Sequence, residues 1–516
     1  MKRKFQIFCC LFILFTIYAT GQNTGEIALI PRPGSVSLSN GTFQLNRVFR
    51  IYDASLSGKN YGKFLNSAGL STMNYKCINS SAGESEITIK KAKSKDTDES
   101  YNLTVSPKGI GIDASGHAGV LYAIETLKQI LVQTWNGKEF KIPCMTIRDE
   151  PAFRYRGFLL DASRHFQPVA TVKHVLDYML SMKLNAFHWH LTDNEGWRVQ
   201  SLKHPELNSV GSFINDSNQV ETNGFYSLED IKDILAYARE RNIEVIPEIE
   251  IPGHSGAILR AFPQLRCPNM TGSTAYCAGN PASYKMIKDV FTEWIDIFKP
   301  RYIHIGGDER EKDLWNRCEL CKAKMKEVGV TNENDLQNKM LQEISAFVHS
   351  KGVKTIAWAE NLEGGIANGQ IIQSWRLKDE AYKSIKLGHA VIISDNQECY
   401  LDYPENQHDA IGKPDWMVIL PLEKVYNFDP VPQGLSKEEE KLVMGSECPL
   451  WTELITINKI YPQIKDRIEA HAEKCWTKRE QKNFDDFSRR LNILHEYFKI
   501  QFYGEESELY HVNQMP

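Results

Sequence analysis

Hydrophobic positions after residue 150 occur in short apolar runs that are separated by longer amphipathic stretches. Each run is five to seven residues long and rich in β-forming residues, which is typical of buried parallel strands. The sequence predicts eight such strands: Arg156–Asp161, Asn185–His190, Ile243–Glu248, Tyr302–Asp308, Thr355–Ala359, Ile371–Trp375, Ala390–Asp395 and Leu442–Glu447. Helices are predicted between most of them, for example Pro168–Met182, Ser227–Arg241, Pro281–Phe298 and Glu333–Ser350.

Eight strands with helices between them over about 320 residues indicate a closed (β/α)₈ TIM barrel. The alternative is an open, doubly wound sheet, which usually has fewer strands and a glycine-rich phosphate loop. Gly306-Gly307 alone does not match the G-x-G-x-x-G pattern of such a loop. We therefore predict an α/β fold in which residues 151–516 form the barrel domain, with a last helix over residues 483–498 packed on its exterior.

Residues 22–150 have a different pattern, which predicts a small α+β domain in front of the barrel. Glu86–Lys90 and Tyr101–Val105 alternate apolar and polar positions, as half-buried strands do. His117–Val132 has the apolar spacing of a helix. The sequence Asp-Glu-Pro at residues 149–151 is typical of a turn and marks the junction with the barrel.

Residues 1–21 are predicted to be a signal peptide. Lys2, Arg3 and Lys4 precede an apolar run over residues 5–19 that is too short to span a bilayer comfortably. The small residues around Gly21 resemble a cleavage site; the alternative is an uncleaved N-terminal anchor. No later stretch reaches about 18 apolar residues, so we expect no membrane span in the mature chain. We expect an exported protein, whether periplasmic, cell-surface or secreted.

Composition and charge narrow the functional classes. Hydrophobic residues make up 42% and charged residues 24% of the 516-residue chain, which is typical of a globular protein with a sizeable core. The formal net charge is −4, with neither a basic excess nor an acidic tail. We therefore expect no nucleic-acid partner. The oligomeric state stays open.

Nine cysteines follow the predicted leader, so at least one is free unless it pairs between chains. Cys267 and Cys277 bracket a loop rich in small residues and are the best candidates for a disulfide. Cys318-x-x-Cys321 also matches redox and zinc motifs. Because it has no second cysteine or histidine pair at metal spacing and lies in a lysine-rich helical stretch, we predict a structural role or a local disulfide, and no metal site.

Barrel enzymes carry their functional groups at the carboxyl ends of the strands. Each of the eight predicted ends is followed by carboxylate, cationic or aromatic side chains. Any one of them is explained by packing or by a surface ion pair, but eight such clusters at one end of a barrel indicate a site. Aromatic faces stack on the C–H surfaces of sugars, and carboxylates and arginine bind hydroxyl groups. The sequence therefore favours a carbohydrate ligand.

The most informative strand end is His304-Ile-Gly-Gly-Asp-Glu309. Adjacent side chains on a regular strand point to opposite faces, but Gly306 and Gly307 allow Asp308 and Glu309 to converge. A conventional retaining glycosidase needs two carboxyl groups about 5–5.5 Å apart on either side of the sugar. Adjacent carboxylates suit a scheme in which one protonates the leaving group and the other orients a nucleophile that belongs to the substrate.

Four motifs resemble those of the family-20 glycoside hydrolases, the β-N-acetylhexosaminidases: RGFLLDASRH at 156–165, HLTDNEGWR at 190–198, IPEIEIPGH at 246–254 and HIGGDE at 304–309. AWAE at 357–360, QSWR at 373–376, YLD at 400–402 and WTE at 451–453 continue the match. The departures are small: Asn194-Glu195, Glu250-Ile251 and Ala359 stand where this family often has Asp-Gln, Asp-Met and an acidic residue. They put contacts around the site in doubt but remove no catalytic group.

The resemblance implies a retaining exo-enzyme that removes terminal β-linked GlcNAc, or GalNAc, from glycans without a cofactor. It implies that Glu309 is the general acid and then the base, that Asp308 binds the N–H of the substrate's 2-acetamido group, and that Tyr400 donates to its carbonyl oxygen. An oxazolinium ion is the implied intermediate. Asp308 and the tryptophans are expected to raise the pKa of Glu309 toward the working pH.

The resemblance also implies which residues hold the sugar. Trp358, Trp375 and Trp451 are expected to enclose the acetamido methyl group and the sugar face. Hydroxyl groups of the terminal sugar are expected to contact Arg164, Glu453 and Asp402. Asp193 and His254 are expected to support the acid, without a chemical step of their own.

Two alternatives accompany this interpretation. The first is a relative adapted to a disaccharide, as a lacto-N-biosidase is, or to a sulfated GlcNAc, which requires a roomier or a basic subsite. The second is a sugar-binding protein on an inactive barrel, against which the intact set of Asp308, Glu309 and Tyr400 argues. The sequence does not separate GlcNAc from GalNAc, and it leaves the linkage and the disulfide connectivity open.

Overall fold

The protein is described here by a computed structural model. It describes residues 27–55, 58–67, 70–80, 85–92, 98–214, 223–362, 365–376 and 378–503. The predicted leader, residues 1–21, lies outside the described residues.

The N-terminal part is a seven-stranded mixed sheet with strand order β1-β7-β5-β6-β4-β2-β3. Its strands are β1 (Ser35–Gln44), β2 (Val48–Asp53), β3 (Lys76–Ser80), β4 (Ile87–Lys91), β5 (Tyr101–Ser106), β6 (Gly109–Ala114) and β7 (Lys141–Asp149), and its helices are α1 (Gly62–Asn66) and α2 (His117–Thr134). Helix α2 is almost entirely buried, because one side packs on this sheet and the other contacts the barrel helix α3. The two strands and the helix predicted here are confirmed to within a few residues.

The C-terminal part is a closed barrel of eight parallel strands, which confirms the predicted fold class. Its strands are β8 (Tyr155–Asp161), β9 (Ala186–His190), β10 (Glu244–Ile251), β11 (Tyr302–Gly306), β12 (Lys354–Trp358), β13 (Ile371–Ser374), β14 (Val391–Ile393) and β15 (Val443–Leu450). Strand β11 ends two residues earlier than predicted, because Gly306 and Gly307 have positive φ angles of 63° and 108° and leave the strand conformation. This difference matters for the site, since it frees the residues that follow.

Within the described residues, twelve α-helices accompany this barrel: α3 (Val169–Ser181), α4 (Leu228–Glu240), α5 (Gly256–Ala261), α6 (Pro281–Phe298), α7 (Glu319–Val328), α8 (Glu333–Ser350), α9 (Lys378–Lys386), α10 (Leu422–Asn427), α11 (Lys437–Glu440), α12 (Ile460–Ile464), α13 (Arg467–Trp476) and α14 (Phe484–Tyr503). Helix α4 begins with a capping box, in which the side chains of Ser227 and Asp230 each accept a hydrogen bond from the other residue's backbone amide. Helix α14 packs against both α10 and α2, so it joins the outside of the barrel to the N-terminal part. None of the described helices combines the length and the hydropathy that a membrane crossing requires.

Four cysteines that are distant in sequence come together beside the barrel. Cys267 and Cys277 lie in the loop after α5, Cys318 precedes α7, and Cys321 lies in its first turn. None of the nine described cysteines forms a disulfide, so the predicted disulfide between Cys267 and Cys277 is wrong. The expectation that the Cys-x-x-Cys motif lacks a second pair is also wrong, because the fold supplies that pair from a loop about 40 residues earlier.

Candidate active site

Side chains from all eight strand ends line one cavity of about 510 Å³ at the carboxyl end of the barrel. It contains every side chain that the sequence singled out: Arg164, Asp193, His254, Asp308, Glu309, Trp358, Trp375, Tyr400, Asp402, Trp451 and Glu453. The positions of these residues at the strand ends therefore predicted the cavity correctly. Their chemical roles stay predictions.

Asp308 and Glu309 converge on a single atom of a third residue. His254 Nε2 lies 3.5 Å from Asp308 Oδ2 and 3.4 Å from Glu309 Oε2. The Asp308 side chain is 15% exposed, whereas that of Glu309 is 54% exposed. Both carboxyl groups thus lie on the same side of the cavity, with Asp308 deeper and Glu309 at the rim.

The backbone after β11 makes this convergence possible. Gly306, Gly307 and Glu309 all have positive φ angles, which turns the chain sharply. The position of Gly306 also lacks space, since a Cβ atom there would overlap Glu250 Oε2. Glycine is therefore required at residue 306 for two reasons, the left-handed backbone and the contact with a neighbouring carboxyl group.

A chain of alternating charges connects the rim to the buried part of the cavity. His254 Nδ1 lies 3.1 Å from Asp193 Oδ1, and Asp193 Oδ2 lies 2.7 Å from Arg164 Nη2. On its other side, Asp193 Oδ2 is 3.0 Å from His190 Nε2. Asp193 is thus held by three cationic or N–H-bearing groups, and it in turn orients the His254 ring that contacts Glu309.

These contacts decide which groups carry charge. Burial alone would raise the pKa of Asp193, but the charges of Arg164 and His254 lower it well below its usual range. Burial likewise opposes the charged form of His254, yet Asp193 and Asp308 raise the pKa of this imidazole well above its usual range. These contacts favour the charged form of His254, which lies between Asp193 and the two acidic residues.

The pKa of Glu309 differs from the expectation. Its hydrogen bond with His254 lowers this pKa, which outweighs the opposing effect of partial burial. The expectation that Asp308 and the tryptophans raise it is therefore wrong for this geometry, because the sequence did not indicate that a cation lies against the acid. By contrast, burial raises the pKa of Asp308, with a further contribution from Glu248.

A carboxylate with no exposed surface, Glu248 within β10, holds the floor of the cavity. Its Oε1 accepts a hydrogen bond from Trp358 Nε1 at 2.9 Å and lies 2.5 Å from His304 Nδ1. Its Oε2 contacts His190 Nδ1 and lies 3.2 Å from His188 Nε2. Against the effect of burial, these histidines lower the pKa of Glu248 well below its usual range. One buried anion thus fixes side chains from β9, β11 and β12.

Four aromatic rings enclose the cavity above this floor. Tyr400 and Trp375 are stacked, with ring centroids 6.3 Å apart and planes inclined by 9°. Trp358 lies 6.4 Å from Trp375 and 6.1 Å from Trp451, which is 6.3 Å from Tyr400. The predicted tryptophans therefore form a continuous apolar wall, and Tyr400 contributes a hydroxyl group to it.

Arg164, Asp402 and Glu453 also line this cavity. Arg164 lies 3.5 Å from Glu453 Oε1 and 5.2 Å from the centre of the Trp451 ring. Asp402 is buried, its Oδ1 has no hydrogen-bond partner among the described residues, and burial raises its pKa well above the usual range. A buried carboxyl oxygen without a partner, in a group that lines a cavity, is suited to binding a hydroxyl group of a ligand.

Six further side chains that the sequence analysis did not select line the same cavity: His190, Glu250, Arg376, Asn396, Tyr403 and Trp416. His190, Glu250 and Arg376 lie within the quoted motifs, so their positions at strand ends were the available signal. Trp416, which is 63% exposed, follows β14 by more than twenty residues and carried no such signal.

Two family models match the chain. The catalytic-domain model of glycosyl hydrolase family 20 matches residues 153–479, and the model of domain 2 of this family matches residues 26–150. A β-hexosaminidase of Porphyromonas gingivalis is 37% identical over 415 residues, which cover 77% of this chain and 53% of that protein. The chain thus spans about half the length of this relative.

Solved structures resemble the whole described molecule. The exo-β-N-acetylglucosaminidase of Vibrio harveyi in complex with N-acetylglucosamine has a TM-score of 0.83 and 30% identity, and the match covers 92% of this chain and 77% of that chain. The β-N-acetylhexosaminidase of Bacteroides fragilis also has a TM-score of 0.83 and 30% identity, with coverage of 92% and 96%.

Replacing Gly306 with alanine should destabilise the protein more than a positive φ angle alone explains. A matched control is Gly329→Ala, since Gly329 has a φ angle of 72° but open space around its Cβ position. We expect Gly329→Ala to lower the free energy of unfolding by about 1–2 kcal/mol, the cost of a left-handed backbone. Gly306→Ala should cost more, because Glu250 must also move. If urea unfolding shows the same loss of unfolding free energy for both variants, the predicted overlap with Glu250 is contradicted.

Proposed function

Because the chain belongs to glycosyl hydrolase family 20, we propose that it is a retaining exo-β-N-acetylhexosaminidase that hydrolyses terminal β-linked GlcNAc or GalNAc in glycans. The observation that carries the proposal is the convergence of Asp308 and Glu309 on His254 inside a cavity walled by tryptophan. The β-hexosaminidases and the exo-β-N-acetylglucosaminidase to which the chain is similar support the same substrate class.

The position of the two carboxyl groups supports catalysis assisted by the substrate. A retaining enzyme with its own nucleophile needs carboxyl groups on opposite sides of the sugar. Asp308 and Glu309 instead lie on one side, since both contact the same imidazole nitrogen. The nucleophile is then the carbonyl oxygen of the substrate's 2-acetamido group, as in other enzymes of this family.

In the first step, Glu309 donates its proton to the glycosidic oxygen while the acetamido oxygen attacks C1. The bond from C1 to the leaving group breaks, and an oxazolinium ion forms with the leaving sugar released as an alcohol. Asp308 accepts a hydrogen bond from the acetamido N–H, whose positive charge grows during this step. In the second step, Glu309 takes a proton from water, which attacks C1 and restores the acetamido group with retention at C1.

The aromatic wall orients the nucleophile. The Tyr400 hydroxyl group donates to the acetamido oxygen, while Trp358 and Trp375 enclose the methyl group. The indole of Trp358 cannot turn freely, since its Nε1 is bonded to Glu248. A preformed apolar enclosure restricts the acetamido group to an orientation close to that of attack, which lowers the entropic part of the barrier.

The difference in exposure supports action at a chain end. The half-exposed Glu309 lies at the rim, where a leaving group can extend into solvent, whereas the buried Asp402 lies among the groups that bind the terminal sugar. A sulfated sugar would need a cation free of carboxylate partners. Arg164 instead lies within 3.5 Å of the carboxylates of Asp161, Asp193, Glu195 and Glu453, which argues against that alternative.

We also propose that the protein is exported after removal of residues 1–21. The proposal rests on the basic start and the short apolar run of that segment.

The function is tested with a pair of aryl glycosides that differ only at C2. We expect release of the aryl group from the β-N-acetylglucosaminide, and almost none from the β-glucoside, because the latter lacks the acetamido nucleophile. NMR of the first product should show the β-anomer before mutarotation. Failure to hydrolyse the first compound would contradict the activity, and efficient hydrolysis of the second would contradict substrate assistance.

Glu309→Gln tests the general acid. We expect kcat/KM, which reports the first step, to fall by about 10²- to 10⁴-fold for a GlcNAc glycoside with a poor alcohol leaving group, since the amide cannot donate the required proton. A dinitrophenyl glycoside serves as the control, because its leaving group departs with little protonation and its cleavage should be affected much less. An equal loss on both substrates would indicate damage to the cavity and would refute the assignment.

His254→Gln should change the pH dependence. The positive charge of His254 favours the ionised form of Glu309, so its removal raises the pKa of the acid. Because Glu309 must be protonated to act, the alkaline limb of kcat/KM should move to higher pH. His204→Gln is the control, since His204 pairs with Asp289 and does not line the cavity. The alkaline limb of kcat/KM reports the pKa of the acid in the free enzyme. If this limb stays at the same pH in His254→Gln, the effect of His254 on the pKa of Glu309 is contradicted.

A further inference from the structure

Four buried sulfur atoms form a compact group outside the catalytic cavity. The distances are 3.7 Å from Cys267 Sγ to Cys321 Sγ, 3.6 Å from Cys277 Sγ to Cys321 Sγ and 3.8 Å from Cys277 Sγ to Cys318 Sγ. All four Sγ atoms lie within 4.8 Å of one another, and each cysteine is at most 3% exposed. A cluster of this kind is compatible with thiols, with disulfides or with a metal ion.

The distances separate these possibilities. A disulfide requires about 2.05 Å between its sulfurs. Four thiolates around a Zn²⁺ ion have Zn–S bonds of about 2.3 Å, and tetrahedral geometry then places neighbouring sulfurs about 3.8 Å apart. The observed separations match this tetrahedral edge. They are also too short for four sulfurs that surround an iron–sulfur cluster.

We propose that Cys267, Cys277, Cys318 and Cys321 bind one Zn²⁺ ion in a structural Cys₄ site. Binding converts four thiols to thiolates and releases four protons to the solvent, so the occupied site has a net charge of −2. With four protein ligands, the ion has no open position for water or substrate, as is typical of a structural zinc.

The surroundings are built for an anionic site. Cys318 is the N-cap residue of α7, a helix of ten residues, and Cys321 lies in its first turn. The amide end of this helix therefore faces the sulfurs, and its partial positive charge favours thiolates.

Gly279 shows how closely the two ligand-bearing segments approach. A Cβ atom at this position would overlap the backbone carbonyl group of Leu320, in the middle of the Cys-x-x-Cys motif. Any larger residue would separate the loop that carries Cys277 from the helix that carries Cys321. The absence of a side chain at residue 279 therefore allows the two cysteine pairs to meet.

A zinc ion at this site would connect the two loops that support His254 and Glu309. The loop of Cys267 and Cys277 supports the turn at His254, because the Tyr276 N–H donates to the Pro252 carbonyl at 3.0 Å. The segment after Glu309 is attached to the same loop, since Trp315 Nε1 donates to the Tyr276 carbonyl at 3.0 Å. Zinc would add a third, stronger link between these loops.

The test measures zinc in the purified full chain by inductively coupled plasma mass spectrometry. We expect one zinc per chain in the wild type and loss of it in Cys318→Ser and Cys321→Ser. Cys144→Ala is the control, since Cys144 is also a buried free thiol but belongs to the N-terminal sheet. This control should keep its zinc. The measurement needs no substrate, so its outcome is independent of the proposed function.

Two further measurements on the wild type cover the case in which the variants do not fold. Replacement of zinc by Co²⁺ should give the visible absorption of tetrahedral thiolate coordination, and removal of the metal by a chelator should lower Tm. Peptide mapping should find the four cysteines alkylated only after chelation and denaturation. Disulfide-linked peptides among these cysteines, or a wild type without zinc, would overturn the proposal.

Discussion

The organisation of the cavity depends on the burial of one charge, the Glu248 carboxylate. A carboxylate without solvent is strongly unfavourable unless nearby groups compensate it, so its neighbours must be held in fixed positions. His190, His304 and Trp358 meet this requirement from three different strands. The same contacts fix the floor of the cavity and one of its aromatic walls.

The contacts that compensate the buried charge of Glu248 continue outward to the acid, Glu309. The charge of Glu248 raises the pKa of His190 to about 10, although burial of the imidazole ring opposes this shift. The charged form of this ring is therefore favoured, and it lies against Asp193. Asp193 in turn holds His254 in its charged form beside Glu309. The proton affinity of the acid is therefore set by a series of alternating charges that starts in the barrel core. Residues that look like mere supports in the sequence act on Glu309 through this series.

Features that depend on local composition were predicted from the sequence, whereas features that depend on contacts between distant residues were not. The eight barrel strands followed from apolar runs, because a strand buried on both faces has a composition that is visible locally. The cavity followed because parallel strands bring their carboxyl ends to one side, so position along each strand sufficed for Arg164 or Trp451. The pKa direction of Glu309 and the cysteine pairing did not follow, since both depend on distances between residues remote in sequence.

The sequence by itself determined the α/β class, the barrel, the side of the barrel that carries the site and most of the side chains that line its cavity. Periodicity and the order of motifs along the chain are enough for these conclusions. Only the tertiary structure decided that His254 contacts both acidic residues, that Glu248 anchors the floor and that four cysteines meet. A thiolate binds zinc only at about 2.3 Å, and a charge shifts a neighbouring pKa mainly within about 4–6 Å, so both effects depend on how closely the fold brings distant segments together.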